Sequence, residues 1–432
     1  MDRQRVRFFL PDWDDTLDRD FDFVRDAYGL GRTPDSDKYA HELISPPPYD
    51  GILISRAVAE DSPERVAQMR IGGARRVMRI PRKLRILGDC GAFSYVNERE
   101  PLYETSDVLD FYEAIGVDYG VAVDHLIVPT VREAALSSSP GSASELAVPM
   151  PPPERTRRQD LTLANADDFI RLHKRRRCTF VPVGSAQGWD PASYASAVNQ
   201  LLRMGYRYIA IGGLARSKSG PILQVLEAVN EAVSTSRVGG RDDVRFHVFG
   251  VAKLDIIDRL PQLRVVSIDS ASLLRKAWLR SGQNYLTMRG DWYTAVRVPQ
   301  SGNPRVQQYI AENGHTPQQV EQQETAILER LNQHGGAALP RRRLEKLIDD
   351  IVEYDMYLLR LGADGQGLRD KAVSRERYRR TLVDRPWEQC SCPICKEIGI
   401  HVILFRGTNR NKRRGFHNTW VFHQRLQSTP SG

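Results

Sequence analysis

The chain has 432 residues, 41% of them hydrophobic and 27% charged, with a formal net charge of +8 at pH 7. That length buries a large core with room for a second domain or an appendage, and the composition is that of an ordinary globular protein, which excludes a disordered or fibrous chain. No run of about 18 apolar residues exists to span a membrane, and the N-terminal "MDRQRVRFFLPDWDD" lacks a signal core and a cleavage site, so a cytoplasmic location is expected.

In chain order, "RVRFFLP" (5–11) is a possible first strand, and seven clearer runs follow: "GILIS" (51–55), "LRILGDCG" (84–91), "YGVAVDH" (119–125), "TFVPVGSAQG" (179–188), "YRYIAIGGLA" (206–215), "RFHVFGVA" (245–252) and "RVVSIDSAS" (264–272). Continuous apolar runs of this length suit strands buried on both faces of a parallel sheet. Helical patterns lie between them, such as "PASYASAVNQLLRMG" (191–205) and "GPILQVLEAVNEAV" (220–233), with Pro191 and Pro221 suited to a first helical turn. This alternation predicts an α/β fold, a (β/α)8 TIM barrel spanning 1–300; an open doubly wound sheet is the alternative, because strand number alone does not close a barrel. The Ser/Pro-rich stretch 137–157 is expected to be an extended surface loop. Beyond 300 the strand signal fades. Two amphipathic patterns, 316–336 (broken at Gly335-Gly336) and 341–362, predict a helical insertion over 301–385, and a cysteine-rich subdomain follows over 386–432.

The positive charge gathers in "RTRR" (155–158), "HKRRR" (173–177), "PRRRLEK" (340–346) and "RGTNRNKRRG" (406–415). Any one of these reads equally as a solvated face, but the four together favour a polyanionic partner, since clustered cations neutralise phosphates. Of five cysteines, Cys390, Cys392 and Cys395 have the spacing of a metal site in a reducing compartment, not of a disulfide framework. Cys90 and Cys178 fall in apolar segments and are expected to be small buried hydrophobes. Three thiolates and one imidazole hold a zinc ion; His401, His417 and His423 all stand within reach along the chain, and the centre is either a structural staple or a nucleic-acid-reading finger.

In a barrel, chemistry gathers where strands end. The polar residues there are Asp89, Asp124, Gln187, the Gly212-Gly213 pair and Asp269. Paired carboxylates equip a site for displacement at a sugar carbon, one attacking the anomeric centre and the other moving protons at the leaving group. Each Asp also reads as a helix cap, and "IGGLARSKSG" (211–220) as a simple turn or a phosphate cradle.

Taken in order, these motifs resemble those of the guanine transglycosylases, which exchange a guanine in a nucleic acid for a 7-deazaguanine base. The matching pieces are "DCGAF" (89–93), "SAQG" (185–188), "GGLA" (212–215), "IDSAS" (268–272), and Cys390, Cys392, Cys395 with His417-Asn418. The resemblance implies that Asp269 is the nucleophile and Asp89 the general acid/base. It also implies that Asp124, Gln187, Gly213 and Leu214 bind the base, with Phe93 walling the pocket. A flipped or single-stranded nucleotide is then required. The zinc ligands it implies are Cys390, Cys392, Cys395 and His417, a closed set and therefore a structural Zn2+. A basic loop of Arg406, Arg410, Lys412, Arg413 and Arg414 is expected near the substrate backbone.

The sequence departs from the tRNA-modifying members at "GAFSY" (91–95), in the long stretch between Asp269 and Cys390, and in closing soon after His417. These departures are more similar to the bacterial DNA-modifying 7-deazaguanine branch. The implied partners are DNA, 7-cyano-7-deazaguanine as the incoming base, and an ATPase protein, in a restriction-modification role. A tRNA-guanine transglycosylase and a catalytically silent nucleic-acid-binding subunit are the alternatives.

Overall fold

Eight short apolar runs form the strands β1 (Arg7–Pro11), β2 (Gly51–Ser55), β3 (Arg85–Asp89), β4 (Tyr119–Val121), β5 (Val181–Ala186), β6 (Tyr208–Ile211), β7 (Arg245–Val248) and β8 (Val265–Asp269). The structure, a computed structural model, describes residues 5–136, 146–238, 240–279, 281–312, 316–358 and 365–428. Each strand pairs in parallel with its successor, and β8 returns to β1 through Arg7↔Ser267, Phe8↔Ile268 and Phe9↔Asp269, closing the barrel. That closure decides against an open sheet. With a period of two, alternate residues point into the barrel; Phe9, Leu53, Leu87, Val121, Val183 and Tyr208 belong to one buried cluster there.

The helices α1 (Thr105–Ile115), α2 (Pro152–Arg176), α3 (Pro191–Met204) and α4 (Ser219–Thr235) alternate with these strands. At the start of α3, Pro191 needs no N–H partner, and the Asp190 carboxylate accepts the Ser193 N–H at 2.7 Å. Gly88 lets α1 approach β3, since a Cβ there would sit 2.5 Å from the Tyr112 ring. The loop expected over 137–157 is shorter than its composition implies. Residues 137–145 lie outside the described residues, Ala147–Pro149 pairs antiparallel with Thr130–Arg132, and α2 already begins at Pro152. Proline at the first helical position is compatible with a helix start, so "PPPERTR" opens a helix instead of extending a loop.

The chain divides into two compact units. The barrel unit comprises Met1–Asp14, Tyr49–Ala271 and Arg425–Gly432; the other comprises Asp15–Pro48 and Ser272–Gln424. In this division Ala271 is the last barrel-unit residue before the long second-unit segment, and residues 15–48 belong with that segment. The helical stretch expected at 301–385 lies in the second unit, as does the cysteine-rich stretch expected at 386–432 up to Gln424. A physical tie is visible within that unit: Val296–Arg297 pairs in parallel with Leu404–Phe405, so the segment after β8 is held by the segment after the cysteines. Its main helices are α5 (Pro317–Gly336), α6 (Arg341–Leu358), α7 (Gly365–Asp384) and α8 (Pro393–Ile398), with α9 (Gly407–Ser428) beginning in it. The first two match the amphipathic patterns, α5 ending at Gly336 and the residues after Leu358 lying outside the described ones. Among the described residues, no helix is long and apolar enough to cross a membrane.

Candidate active site and metal centre

The C-terminal ends of the barrel strands carry a buried polar cluster. Asp124 is fully enclosed just past β4: its Oδ1 accepts the Cys90 thiol hydrogen at 3.2 Å, and its Oδ2 accepts from Ser185 Oγ at 2.9 Å and Gln187 Nε2 at 2.5 Å. Burial raises the Asp124 carboxyl above its ordinary range, opposed by these three donors. Gln187 turns its Oε1 the other way, buried and without a hydrogen-bond partner among the described residues. Beside it runs the glycine pair after β6. A Cβ on Gly212 would lie 2.0 Å from Gln187 Nε2, and one on Gly213 would lie 2.9 Å from the Tyr194 hydroxyl and 3.2 Å from Gln187 Oε1, on a backbone with φ of +78°. Leu214 is buried next to this pair. Phe93 is 59% exposed, with the Arg216 guanidinium 5.5 Å from its ring centroid.

The two carboxylates singled out in the sequence end their strands, Asp89 on β3 and Asp269 on β8. Asp89 Oδ2 accepts the Gly91 N–H at 3.0 Å. Burial, then the charges of Asp124 and Asp269, push the Asp89 carboxyl up to about 8, so at neutral pH it mostly keeps its proton. Asp269 is in a different setting: its Oδ1 accepts from His247 Nε2 at 3.1 Å and from the Gly250 N–H at 3.0 Å. The field of Asp269 at Asp89 means the two groups belong to one electrostatic neighbourhood, although 180 positions separate 89 from 269 in the sequence.

Three residues of this cluster were given no role in the site from sequence. Cys90 is buried as expected, but it is a polar member and not merely a small hydrophobe: it also accepts the Tyr95 O–H at 3.0 Å. Ser185 and His247 are the others. Their signal is visible in hindsight as polar residues at inward positions of otherwise apolar strands, "VPVGSA" and "RFHV". Asp89, Cys90 and Asp124 also offer donor atoms within 4.8 Å of one another. The Cys90 thiol there is pushed well above its ordinary value by burial and donates to Asp124, which suits a hydrogen-bonded thiol better than a metal thiolate.

In the second unit, the Sγ atoms of Cys390, Cys392 and Cys395 and the Nδ1 of His417 all lie within 4.8 Å of one another. Nδ1 is 3.7, 3.3 and 3.4 Å from the three sulfurs. Metal–ligand bonds of roughly 2.0–2.3 Å from one tetrahedral ion give edges of this size. His417 Nε2 donates to the Leu286 carbonyl at 2.8 Å, which leaves Nδ1 free of hydrogen for a metal. The four residues therefore fit a metal ion of zinc's type. His401 and His423 stand outside this cluster.

The basic run 406–414 lies inside its unit, which corrects the expectation of a loop facing a nucleic acid. Past Arg406 the run forms the start of helix α9, and Arg410, Arg413 and Arg414 are almost fully buried. Arg406 pairs with Asp26 at 2.6 Å and with Glu324. Arg410 pairs with Asp26 and donates to the Phe23 carbonyl at 2.5 Å. Lys412 donates to the Thr16 carbonyl at 2.9 Å, and Arg413 donates to those of Asp18 at 3.1 Å and Arg19 at 2.8 Å. Arg414 serves the Ala277, Val402 and Leu404 carbonyls. The physical reason is that the 15–48 segment is poor in regular secondary structure, so its buried carbonyls need side-chain donors.

Acidic groups converging at the C-terminal mouth of a closed parallel barrel are the arrangement of a barrel enzyme. No family model matches the chain. A protein of Salmonella montevideo named DNA-guanine transglycosylase is similar to it, 37% identical over 438 aligned residues that cover 99% of this chain and 98% of that protein. The chain belongs to the guanine transglycosylase family and is a transglycosylase.

Proposed function

We propose that the protein exchanges guanine in DNA for 7-cyano-7-deazaguanine through a covalent Asp269–glycosyl intermediate, a pentosyl transfer. The observation that carries this reading is the contrast between two carboxyls at one barrel mouth. Asp89 is held mostly protonated at neutral pH, while Asp269 has Oδ1 engaged by two donors. A carboxyl that keeps its proton suits proton transfer at the leaving base, and a neighbouring carboxyl held in place by donors suits nucleophilic attack. Asp269 attacks C1′ as the bond from C1′ to the guanine nitrogen breaks, and Asp89 gives its proton to the departing base. The Asp89 carboxylate then takes a proton from the incoming base, whose nitrogen attacks C1′ and releases Asp269. Two displacements leave the configuration retained.

Gln187 Oε1 supports base binding, since it is a buried acceptor with no donor among the described residues and can take a ring or exocyclic N–H of a purine. Asp124, held by Cys90, Ser185 and Gln187, presents further acceptor capacity to the same base edge. DNA as the substrate follows the similarity to the Salmonella montevideo protein along its whole length. The deazaguanine and an ATPase partner follow the resemblance to the DNA-modifying branch. Bound at Cys390, Cys392, Cys395 and His417, a zinc ion would supply folding energy to the second unit and no chemistry at the mouth.

The test incubates the protein, with its ATPase partner where required, with guanine-labelled DNA and 7-cyano-7-deazaguanine. Labelled guanine is expected to leave DNA, and Asp269→Asn is expected to abolish release while keeping DNA affinity. Release from tRNA but not from DNA overturns the DNA assignment. Retained exchange in Asp269→Asn overturns the nucleophile, and binding without exchange marks a silent subunit.

A further inference from the structure

The barrel interior holds a line of polar groups that the exchange reaction does not itself require. His247 on β7 is fully buried, as is Ser267 on β8, and Tyr208 on β6 is nearly so. His247 Nε2 lies 3.1 Å from Asp269 Oδ1, His247 Nδ1 lies 2.6 Å from Ser267 Oγ, and Ser267 Oγ lies 2.5 Å from the Tyr208 hydroxyl. We propose that His247 is a positioning residue for the nucleophile, its Nε2–H tautomer locked by Ser267 and Tyr208 so that it holds Asp269 by Oδ1. The proposal rests on the reading of Asp269 as the attacking group.

The hydrogen positions follow from what each atom can do. A carboxylate oxygen only accepts, so the hydrogen shared with Asp269 sits on His247 Nε2. In the proposed array the imidazole carries no second hydrogen, so its Nδ1 accepts the Ser267 O–H. The Ser267 oxygen in turn accepts the Tyr208 O–H. Every donor in this one-way chain finds an acceptor, and Tyr208 starts it with a hydroxyl whose ionisation burial pushes up to about 12, so it stays a donor. Had position 247 carried the aliphatic residue usual in a buried strand, Asp269 Oδ1 would keep only the Gly250 N–H.

The consequence is geometric. Oδ1 is occupied by two donors approaching from β7 and the turn after it, whereas no described residue donates to Oδ2. The carboxyl is thereby prevented from rotating, and the unoccupied oxygen is the one left to meet the sugar. A group reaching a near-attack geometry without paying for its own rotation contributes to the chemical step and not to substrate binding. The backbone also ties the array together: His247 pairs with Ser267 in the β7–β8 register, and Asp269 lies two residues further along β8 on the same inward face.

The test has an arm that needs no substrate and an arm that does. Imidazole 15N spectra of the full-length protein, with the His247 resonances assigned by comparison with His247→Gln, are expected to show one Nε2–H tautomer near pH 7. In Ser267→Ala this tautomer is expected to lose its exclusivity. A His247 signal with hydrogen on Nδ1, or one unmoved by Ser267→Ala, overturns the proposal. In the DNA base-exchange assay, His247→Phe is expected to lower kcat on the order of 100-fold, the scale of one lost donor at a reacting group. The KM for DNA should change little. His247→Gln, which returns an N–H near the same place, is expected to recover part of the loss. Equal kcat in wild type and His247→Phe overturns the proposal, as does a loss in KM alone. Should His247→Phe fail to fold, Ser267→Ala is read alone and is expected to lower kcat by roughly 10-fold without raising KM. An unchanged kcat in that variant also overturns the proposal. Exchange that survives Asp269→Asn refutes the underlying nucleophile instead, so the two failures are told apart.

Discussion

Replacing Asp89 by Asn isolates the energetic cost of the proposed acid. In the folded protein its carboxyl is raised to about 8, whereas in an unfolded chain it titrates near 4. Between those values the native state holds a proton that the unfolded state has lost. The Asp89 contribution to wild-type stability therefore falls as pH rises from about 4 to about 8 and levels off above. One proton is worth about 1.4 kcal/mol per pH unit at 25 °C. Asparagine keeps the shape and lacks the titration, so the stability of Asp89→Asn relative to wild type should grow by about 2.5 kcal/mol between pH 5 and pH 7. Urea unfolding of both proteins at the two pH values, followed by far-UV circular dichroism, measures that difference. Base exchange by the variant should be lost over the same range, and wild-type guanine release should fall as pH passes about 8, where the acid gives up its proton. Parallel stability curves for the two proteins between pH 5 and pH 7 would refute the reasoning, because Asp89 would then be ionised in the folded state and unable to protonate a leaving base.

Three further outcomes follow from the geometry. Gly212→Ala sets a Cβ 2.0 Å from Gln187 Nε2 and must displace that amide; the KM for DNA should rise on the order of 10-fold with zinc content unchanged, read by steady-state kinetics and metal analysis. Arg410→Ala removes one of two arginine partners of Asp26 and should cost about 1.5–3 kcal/mol in unfolding, while the salt dependence of DNA affinity stays as in wild type. A reduced salt slope in a folded Arg410→Ala would show that this side chain reaches phosphate after all. Cys392→Ser, or chelation of the native protein, should release the metal and unfold the second unit, since such centres contribute on the order of 10 kcal/mol; mass spectrometry of metal content with thermal unfolding checks it, and unchanged melting would count against a structural metal.

The barrel was legible because buried parallel strands write themselves as apolar runs, and eight of them in alternation with helical patterns leave few architectures. The candidate site was legible as polar residues where those runs end, and as a resemblance carried by ordered short motifs. What the residues by themselves determined is therefore local: periodicity, strand ends and metal spacing are properties of neighbours in the chain. Only the tertiary structure decided the rest. Whether β8 pairs with β1, whether Arg410 and Arg413 meet water or the carbonyls of residues 18–26, and whether a histidine in "RFHV" faces lipophilic packing or the Asp269 carboxylate all depend on groups far apart in sequence. A cationic run looks the same in sequence whether it awaits phosphate or satisfies buried backbone oxygens. The difference lies in the desolvation of its partners, and that is set by the fold.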